Sequence, residues 1–455
     1  MKKYYGILLI PLLGIIPINK NIINKDNTNF EGQNGVIIDI SAQETWTGAI
    51  LDSDLDGYGD FVYIWGNFNS EPTKFDFAWN GNLINLELGS YLSAGVTVDI
   101  DYDGYADTLY MWGNNQHAQL GNGTYGNYDL NDPIKITPEG QDNWNGNIID
   151  LSLGSYNTSV IIDTDYDGYA DTFYSWGDNI GGENGNGQNG LNTEGEDQYV
   201  LYPQEIAPEG RGGWNGNIID LDLDSITSAA TVDGNYDGYS DTLYMWGTGV
   251  YNYYGHGPVL YPTKIIPERE DDWRGDIVDF DTDYHNTGVV VDTNYDHIGD
   301  TLYIWGYASE GQIGNGYFED TRENFPIQNT FFVDKNIINL EIKDDALAVS
   351  TDENLDGYAD TLYMWGYNNK GQLGDETTIS KSTPTKIIPD QKDNWGGNII
   401  DVSLGGRDSM VLTDQNSDNL GDTIYMWGDN QFYQLGFLSE DEIVSTPYQI
   451  ITTIF

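Results

Sequence analysis

The sequence predicts an all-β fold, a seven-bladed β-propeller of four-stranded antiparallel blades, and two observations predict it. An acidic loop, written at Asp99 to Asp107 as DIDYDGYAD, recurs seven times, and every copy runs into a short apolar strand ending in Trp-Gly. The copies begin at Asp52, Asp99, Asp163, Asp233, Asp292, Asp352 and Asp414, with the Trp-Gly pairs at Trp65, Trp112, Trp176, Trp246, Trp305, Trp365 and Trp427. Their spacings of 47, 64, 70, 59, 60 and 62 residues are too long for a helical-hairpin solenoid and long enough for one four-stranded sheet each.

Within the third unit, Pro133 to Thr137, Asn147 to Leu153, Thr158 to Ile162 and Thr172 to Trp176 are short runs rich in β-branched or aromatic residues, bounded by Gly, Asn, Asp or Pro. They read as four strands of a meander. Beyond the N-terminus no segment of 10 or more residues keeps a 3.6-residue hydrophobic period, so helix should be scarce. The first unit has strands at Val36 to Ser41, Gly48 to Leu51 and Phe61 to Trp65 but lacks the Pro-initiated strand that opens the later units. Pro447 to Ile451 matches Pro384 to Ile388 and has no blade of its own. The expectation is that this C-terminal strand pairs into the first blade and closes the ring, leaving few exposed edges.

Several units follow Trp-Gly with a Gly-Gln-Leu-Gly segment: Gly371-Gln372-Leu373-Gly374, Gly311-Gln312-Ile313-Gly314, Gln119-Leu120-Gly121 and, in part, Gln434-Leu435-Gly436. The third and fourth units keep only glycines (Gly185, Gly187, Gly255, Gly257), and the first has lost the segment. Over residues 31 to 455 this pattern resembles the regulator of chromosome condensation repeats, and the resemblance implies a seven-bladed propeller. It is weak for function, because one propeller family hosts exchange factors, inhibitors and binding scaffolds.

The acidic loop departs from that family, whose hairpins turn there in a few residues. Positions 1, 3, 5 and 9 are Asp52, Asp54, Asp56 and Asp60 in the first copy, then Asp99, Asp101, Asp103 and Asp107, and Asp163, Asp165, Asp167 and Asp171. The fourth and fifth copies have Asp233, Asn235, Asp237 and Asp241, and Asp292, Asn294, Asp296 and Asp300. The last two have Asp352, Asn354, Asp356 and Asp360, and Asp414, Asn416, Asp418 and Asp422. Oxygen ligands at alternating positions with Gly at position 6 describe a Ca²⁺ loop, so up to seven Ca²⁺ are expected. Position 6 is Gly57, Gly104, Gly168, Gly238 and Gly357, but His297 and Asn419 in the other two. Position 12, where an EF-hand supplies Glu, is Tyr in all seven (Tyr63, Tyr110, Tyr174, Tyr244, Tyr303, Tyr363, Tyr425). The loops therefore look like the hairpin Ca²⁺ loops of integrin-type propellers. The plainer reading is that Asp-Gly makes a hairpin turn and the other acids are solvated. Against it, two carboxylates ~4 Å apart repel by about 4 kcal/mol at an effective dielectric of 20, and the cluster recurs seven times. The loop with His297 should bind weakest, and the three with four Asp tightest.

The formal charge is −55, from 73 acids and 18 bases. Such a surface disfavours nucleic acid and anionic membrane, which are bound through Lys and Arg. Residues 1-30 begin Met1-Lys2-Lys3, continue with an apolar run from Tyr4 to Ile18 and end polar, as a signal peptide or N-terminal anchor plus a short linker would. A secreted or cell-surface location is expected. The absence of Cys excludes disulfides and thiolate metal sites.

Nothing reads as a catalytic constellation. His117, His256, His285 and His297 fall at unrelated places in their units, and no Gly-x-Ser-x-Gly elbow or Gly-rich phosphate loop is present. Candidate recognition segments are the inserts bearing Trp79, Trp144, Trp214, Trp273 and Trp395, and the loops after Trp-Gly with Tyr125, Tyr128, Tyr199, Tyr202, Tyr251, Tyr253, Tyr254 and Tyr317. The expectation is a monomeric, calcium-stabilised scaffold that binds an unidentified protein or glycan. A glycan-acting enzyme such as a lyase, and an intracellular guanine-nucleotide exchange-type regulator implied by the resemblance, are the alternatives.

Overall fold

Each blade opens with a strand rich in Ile and Leu, such as Asn147–Leu153, whose β-branched residues suit a sheet buried on both faces. The second strand, Asn157–Asp163 in that blade, is buried at every residue. The third carries Trp-Gly, and the fourth, Val200–Ile206, carries Pro203 and is largely open to solvent on its outer face. Proline is tolerated there because an outermost strand has no further ladder to feed.

The computed structural model describes residues 28–30, 33–67, 69–189, 199–209, 213–248, 258–267, 273–389, 392, 394–418, 420–437 and 442–450. Among these residues there are seven antiparallel sheets in strict sequence order and no helix. Six sheets have four strands; the first has five, because Thr28–Phe30 pairs with the start of Gln33–Gln43. First strands of neighbouring blades touch around the axis, so the first strand of each blade is innermost. Seven apolar clusters fill the ring, and each draws its residues from two adjacent blades. The signal-like residues 1–27, Asn419, Ile451, and Tyr251, Tyr253, Tyr254, Gly255, His256 and Gly257 lie outside the described residues.

Ring closure differs from the expectation. The C-terminal strand Ile443–Gln449 pairs with Thr423–Asp429 and completes the seventh blade. The first blade has its own fourth strand, Asn69–Lys74, containing Pro72 directly after Trp65-Gly66. The Pro strand thus ends each unit, and the grouping of strands shifts by one. Among the described residues no strand is shared across the seam, where Ile37, Ile40 and Ala49 of the first blade pack against Met410, Leu412, Ile424 and Met426 of the last.

Two sets of polar contacts repeat at the junctions. In one, the Gln-Leu-Gly segment of one blade clasps the tryptophan of the next. The indole Nε1 of Trp176, Trp365, Trp427 and Trp65 donates to the main-chain oxygen of Gln119, Gln312, Gln372 and Gln434, at 2.7 to 2.9 Å. Trp246 makes the same bond to Glu183, at 2.8 Å. The glycine two residues on lies so close to that indole that a β-carbon at Gly121 would sit 2.5 Å from Trp176 Nε1, and its φ is +69°. The segment that looked only partly preserved, at Gln434, is the one that seals the ring. Glu183 stands where the other segments have Gln, buried, and burial pushes its carboxyl up to about 7.

The second set lines the axis. A bulge interrupts the pairing of every first strand with the second, and polar residues at or just beyond it reach the next blade. Leu86 N donates to Asp39 at 2.7 Å, Leu223 N to Ser152 Oγ at 3.1 Å, Thr282 N to Asp222 at 2.7 Å and Leu340 N to Asp279 at 2.6 Å. Ala42 N to Ser403 Oγ, 3.0 Å, repeats the bond across the seam.

Ser403→Ala should therefore cost about 1–3 kcal/mol, the penalty of an unpaired buried amide, and Ser152→Ala a similar amount, since seam and interior use one bond type. Denaturant unfolding of both variants checks this. Glu183→Gln should behave differently with pH. A carboxyl raised in the folded state from 4.5 to about 7 contributes stability below pH 4.5 that is lost as pH rises through 7. The glutamine variant should match the parent near pH 5 and exceed it at pH 8 by up to about 3 kcal/mol in the same assay.

Candidate cation sites and the loop face

The acidic loops wrap around their first aspartate. Asp52 Oδ1 accepts the N–H of Leu55 at 2.6 Å and Oδ2 that of Gly57 at 2.8 Å; Asp99, Asp163, Asp233 and Asp352 repeat both bonds. Asp292 bonds Tyr295 and His297 in the same way, and Asp414 bonds Ser417. The ninth residue folds back: Asp60 accepts from Ser53 N, Asp171 from Thr164 N, Asp300 from Thr293 N and Asp422 from Gln415 N. In consequence the carboxylates of Asp52, Asp54 and Asp60, of Asp99, Asp101 and Asp107, and of Asp163, Asp165 and Asp171 each converge within 4.8 Å. The fifth-position Asp56, Asp103 and Asp167 stand outside these groups and accept the N–H of Tyr58, Tyr105 and Tyr169. Asn235, Asn294, Asn354 and Asn416 occupy position 3 of the other loops, beside Asp237, Asp241, Asp296, Asp356, Asp360 and Asp418, and offer an amide oxygen in place of a carboxylate.

These sets could hold a hard divalent cation, since every side-chain donor is an oxygen and a carboxylate that accepts one N–H keeps lone pairs for an ion. Burial, opposed by the Gly57 and Leu55 amides, holds Asp52 above the usual carboxylate range, and Asp99 is raised in the same way. Asp54 and Asp165 are raised by partial desolvation and by the acids beside them. The charge concentrated here is thus not balanced by the protein's own groups.

The loops are also bolted to the ring, which the sequence reading missed. Position 8 forms a two-residue bridge to the next blade's first strand: Gly59 with Leu83, Ala106 with Ile148, Ala170 with Ile218, Ser240 with Ile277, Gly299 with Ile337, Ala359 with Ile399, and Gly421 with Ile37 across the seam. The available signal was a small residue at that place in all seven copies. Neighbouring loops touch as well, because the Tyr58 hydroxyl lies over Gly104 and that of Tyr105 over Gly168.

Position 4 is in the left-handed region in every loop, with φ between 62° and 65°, yet it is Leu55, Tyr102, Tyr166, Tyr236, Tyr295, Leu355 or Ser417. Side chains there carry strain that glycine or asparagine would relieve. Four of these tyrosines and Leu355 are 62% to 74% exposed. The result is a crown of apolar groups on the acidic face. The Trp-bearing inserts expected to offer recognition surface do not: Trp79, Trp144, Trp273 and Trp395 are buried and Trp214 half-buried, each edge-on to the position-12 tyrosine of the following blade. They fill the space between blades. On the opposite face Tyr125 and Tyr317 are exposed as expected, and Tyr91, Tyr156 and His117 stack beside them or nearby, with Tyr91–Tyr156 at 4.6 Å. His117 and His285 each pair with one aspartate, Asp178 and Asp345.

The fold and its clasps define a seven-bladed propeller built from whole, tandem blades. Residues 107–161 and 360–412 match the Regulator of chromosome condensation (RCC1) repeat. Those two segments, about a quarter of the chain, are similar to the repeats of that family. Ultraviolet-B receptor UVR8 of Arabidopsis thaliana is 26% identical over 263 residues, which cover 56% of this chain and 49% of UVR8. The chain thus spans about half the length of that relative. Human WBSCR16 has the same fold, with a TM-score of 0.64 at 16% identity over 84% of this chain and 85% of that one. Prp20p from Saccharomyces cerevisiae follows at 0.59 and 14%, over 84% of each chain. At these identities the likeness to the solved structures concerns the fold alone.

If the position-4 side chains do not serve stability, Leu355→Asn should stabilise the folded chain by about 0.5–1 kcal/mol, because asparagine tolerates the left-handed region and little burial is lost. A loss of similar size in thermal or denaturant unfolding would mean that Leu355 supports the loop.

Proposed function

We propose that this propeller is a calcium-stabilised scaffold that binds another protein through its loop face, in a calcium-rich, extracellular or cell-surface setting. The convergence of three carboxylates within 4.8 Å in each of three loops carries the calcium part. Ca²⁺ takes six to eight oxygens at about 2.3–2.6 Å, so three side chains leave room for main-chain oxygens and water. Because position 8 of each loop is bridged to the next blade, an ion bound in a loop braces a junction of the ring. A signal-like N-terminus and the lack of cysteine suit that setting, in which calcium takes the place of disulfides.

A protein partner is supported by the crown of strained, exposed tyrosines and Leu355, because strain kept at a surface position points to contact with something else. Tyrosine supplies large contact area at low entropic cost. Prp20p, which shares the fold, is a protein with binding properties to Gsp1p and histones. With seven Ca²⁺ bound the formal charge is still about −41, which favours a partner with a basic surface over nucleic acid. A binding role is the reading this face supports.

Chelation should lower the thermal midpoint markedly, and Ca²⁺ should restore it while equimolar Mg²⁺ does not, since Mg²⁺ holds a tighter octahedral shell with more water. At free Ca²⁺ about 100-fold above the dissociation constant each site adds on the order of 2.7 kcal/mol. A midpoint that chelator leaves unmoved within the reproducibility of the scan reduces the loops to acidic turns.

A further inference from the structure

The fifth acidic loop departs from the repeat in two places that meet in space. His297 stands where five other loops have glycine, and Asp276, the first residue of that blade's first strand, stands where Asn82, Asn147, Asn217, Asn336 and Asn398 stand in blades two, three, four, six and seven. Together with Asp292 they bring two carboxylate oxygens and one imidazole nitrogen within 4.8 Å of one another. We propose that Asp276, Asp292 and His297 form a binding site for a divalent transition ion of the Zn²⁺ class, different in chemistry from the all-oxygen loops.

Asp276 carries the argument furthest. Asp276 as a whole residue is 6% exposed, and among the described residues no hydrogen bond or salt bridge reaches its carboxylate. A carboxylate placed this deep without a partner costs more than the neutral asparagine of the other blades. A bound dication supplies the missing positive charge.

The imidazole decides which ion. Ca²⁺ and Mg²⁺ take oxygen ligands, whereas a set of one imidazole and two carboxylates suits Zn²⁺ and its neighbours in the first transition row. A tetrahedral zinc with bonds of about 2.0–2.1 Å would leave its fourth position to water. Tyr239 lies flat against the imidazole, with ring centres 4.3 Å apart and planes 8° from parallel, and fixes the plane in which the nitrogen points. In the first two loops the equivalent tyrosine lies over the next loop's glycine; here it meets the histidine. The proposal takes Asp292 out of that loop's calcium set, and it stands or falls independently of calcium in the other six.

The test is a titration of the full chain, saturated with Ca²⁺ to fill the oxygen-only loops, with Co²⁺ followed by visible absorption and with Zn²⁺ followed by calorimetry. One equivalent of Co²⁺ should bind with the spectrum of a four- or five-coordinate ion and be displaced by Zn²⁺. His297→Gly and Asp276→Asn each restore the residue that the other blades carry, so both should fold, and each should weaken Zn²⁺ binding by about 100-fold or more. His117→Gln should leave it unchanged. A parent chain without a stoichiometric Co²⁺ site, or variants that bind Zn²⁺ as tightly as the parent, would overturn the assignment.

Discussion

Among the described residues no strand passes from one blade to another, and that constraint governs the rest of the structure. Propeller blades pack face to face, so cohesion must come from what each blade presents to the next. Here it is supplied at three levels: apolar clusters shared by adjacent blades, amide bonds to polar side chains along the axis, and indoles clasped by the preceding blade. Buried Asp39, Asp222 and Asp279 are tolerated along the axis because a neighbouring main-chain N–H meets each of them. The seam between first and last blades uses the same bonds, at Ser403, Gln434 and Gly421.

The acidic loops belong to this system of junctions. A loop that only turned the chain would need no contact with the next blade, yet its eighth residue is bridged there in all seven cases. Whatever orders the loop therefore also orders the joint. The same wrapping forces the fourth residue into the left-handed region, and in five of the seven loops the side chain found there is large and exposed. Stability and surface chemistry pull in opposite directions at those positions, as is common where a surface makes contact with another molecule.

Much of the fold was legible because its period is loud. Seven copies of one loop and seven Trp-Gly pairs fixed the number of blades, and the β-branched runs fixed their strands. The assignment of Pro strands to blades was not legible, because Pro72 sits in a degenerate unit and a meander reads equally well from any of its four strands. Only the register, with Tyr63 opposite Lys74, decides it. The role of Gln434 was hidden for a related reason, since its carbonyl makes the bond and the side chain gives no sign of it. The insert tryptophans misled because a short polar surrounding such as Asp142-Asn143-Trp144-Asn145 suggests a surface, whereas the ring is covered by Tyr174 and Trp176 of the following blade. The joining of Asp276 to His297 joins residues 21 positions apart, and only the sheet brings them together.

A ring whose members are each complete has an evolutionary consequence. In a propeller closed by a shared strand, the two halves of one blade are tied to opposite ends of the chain, and any gain or loss of a unit must respect that division. Here the gene segment for one meander encodes one finished blade with both of its mating surfaces. Copying it adds a wedge with the same two mating surfaces, and single copies are free to drift, as the fifth has at Asp276 and His297 and the seventh at Asn419.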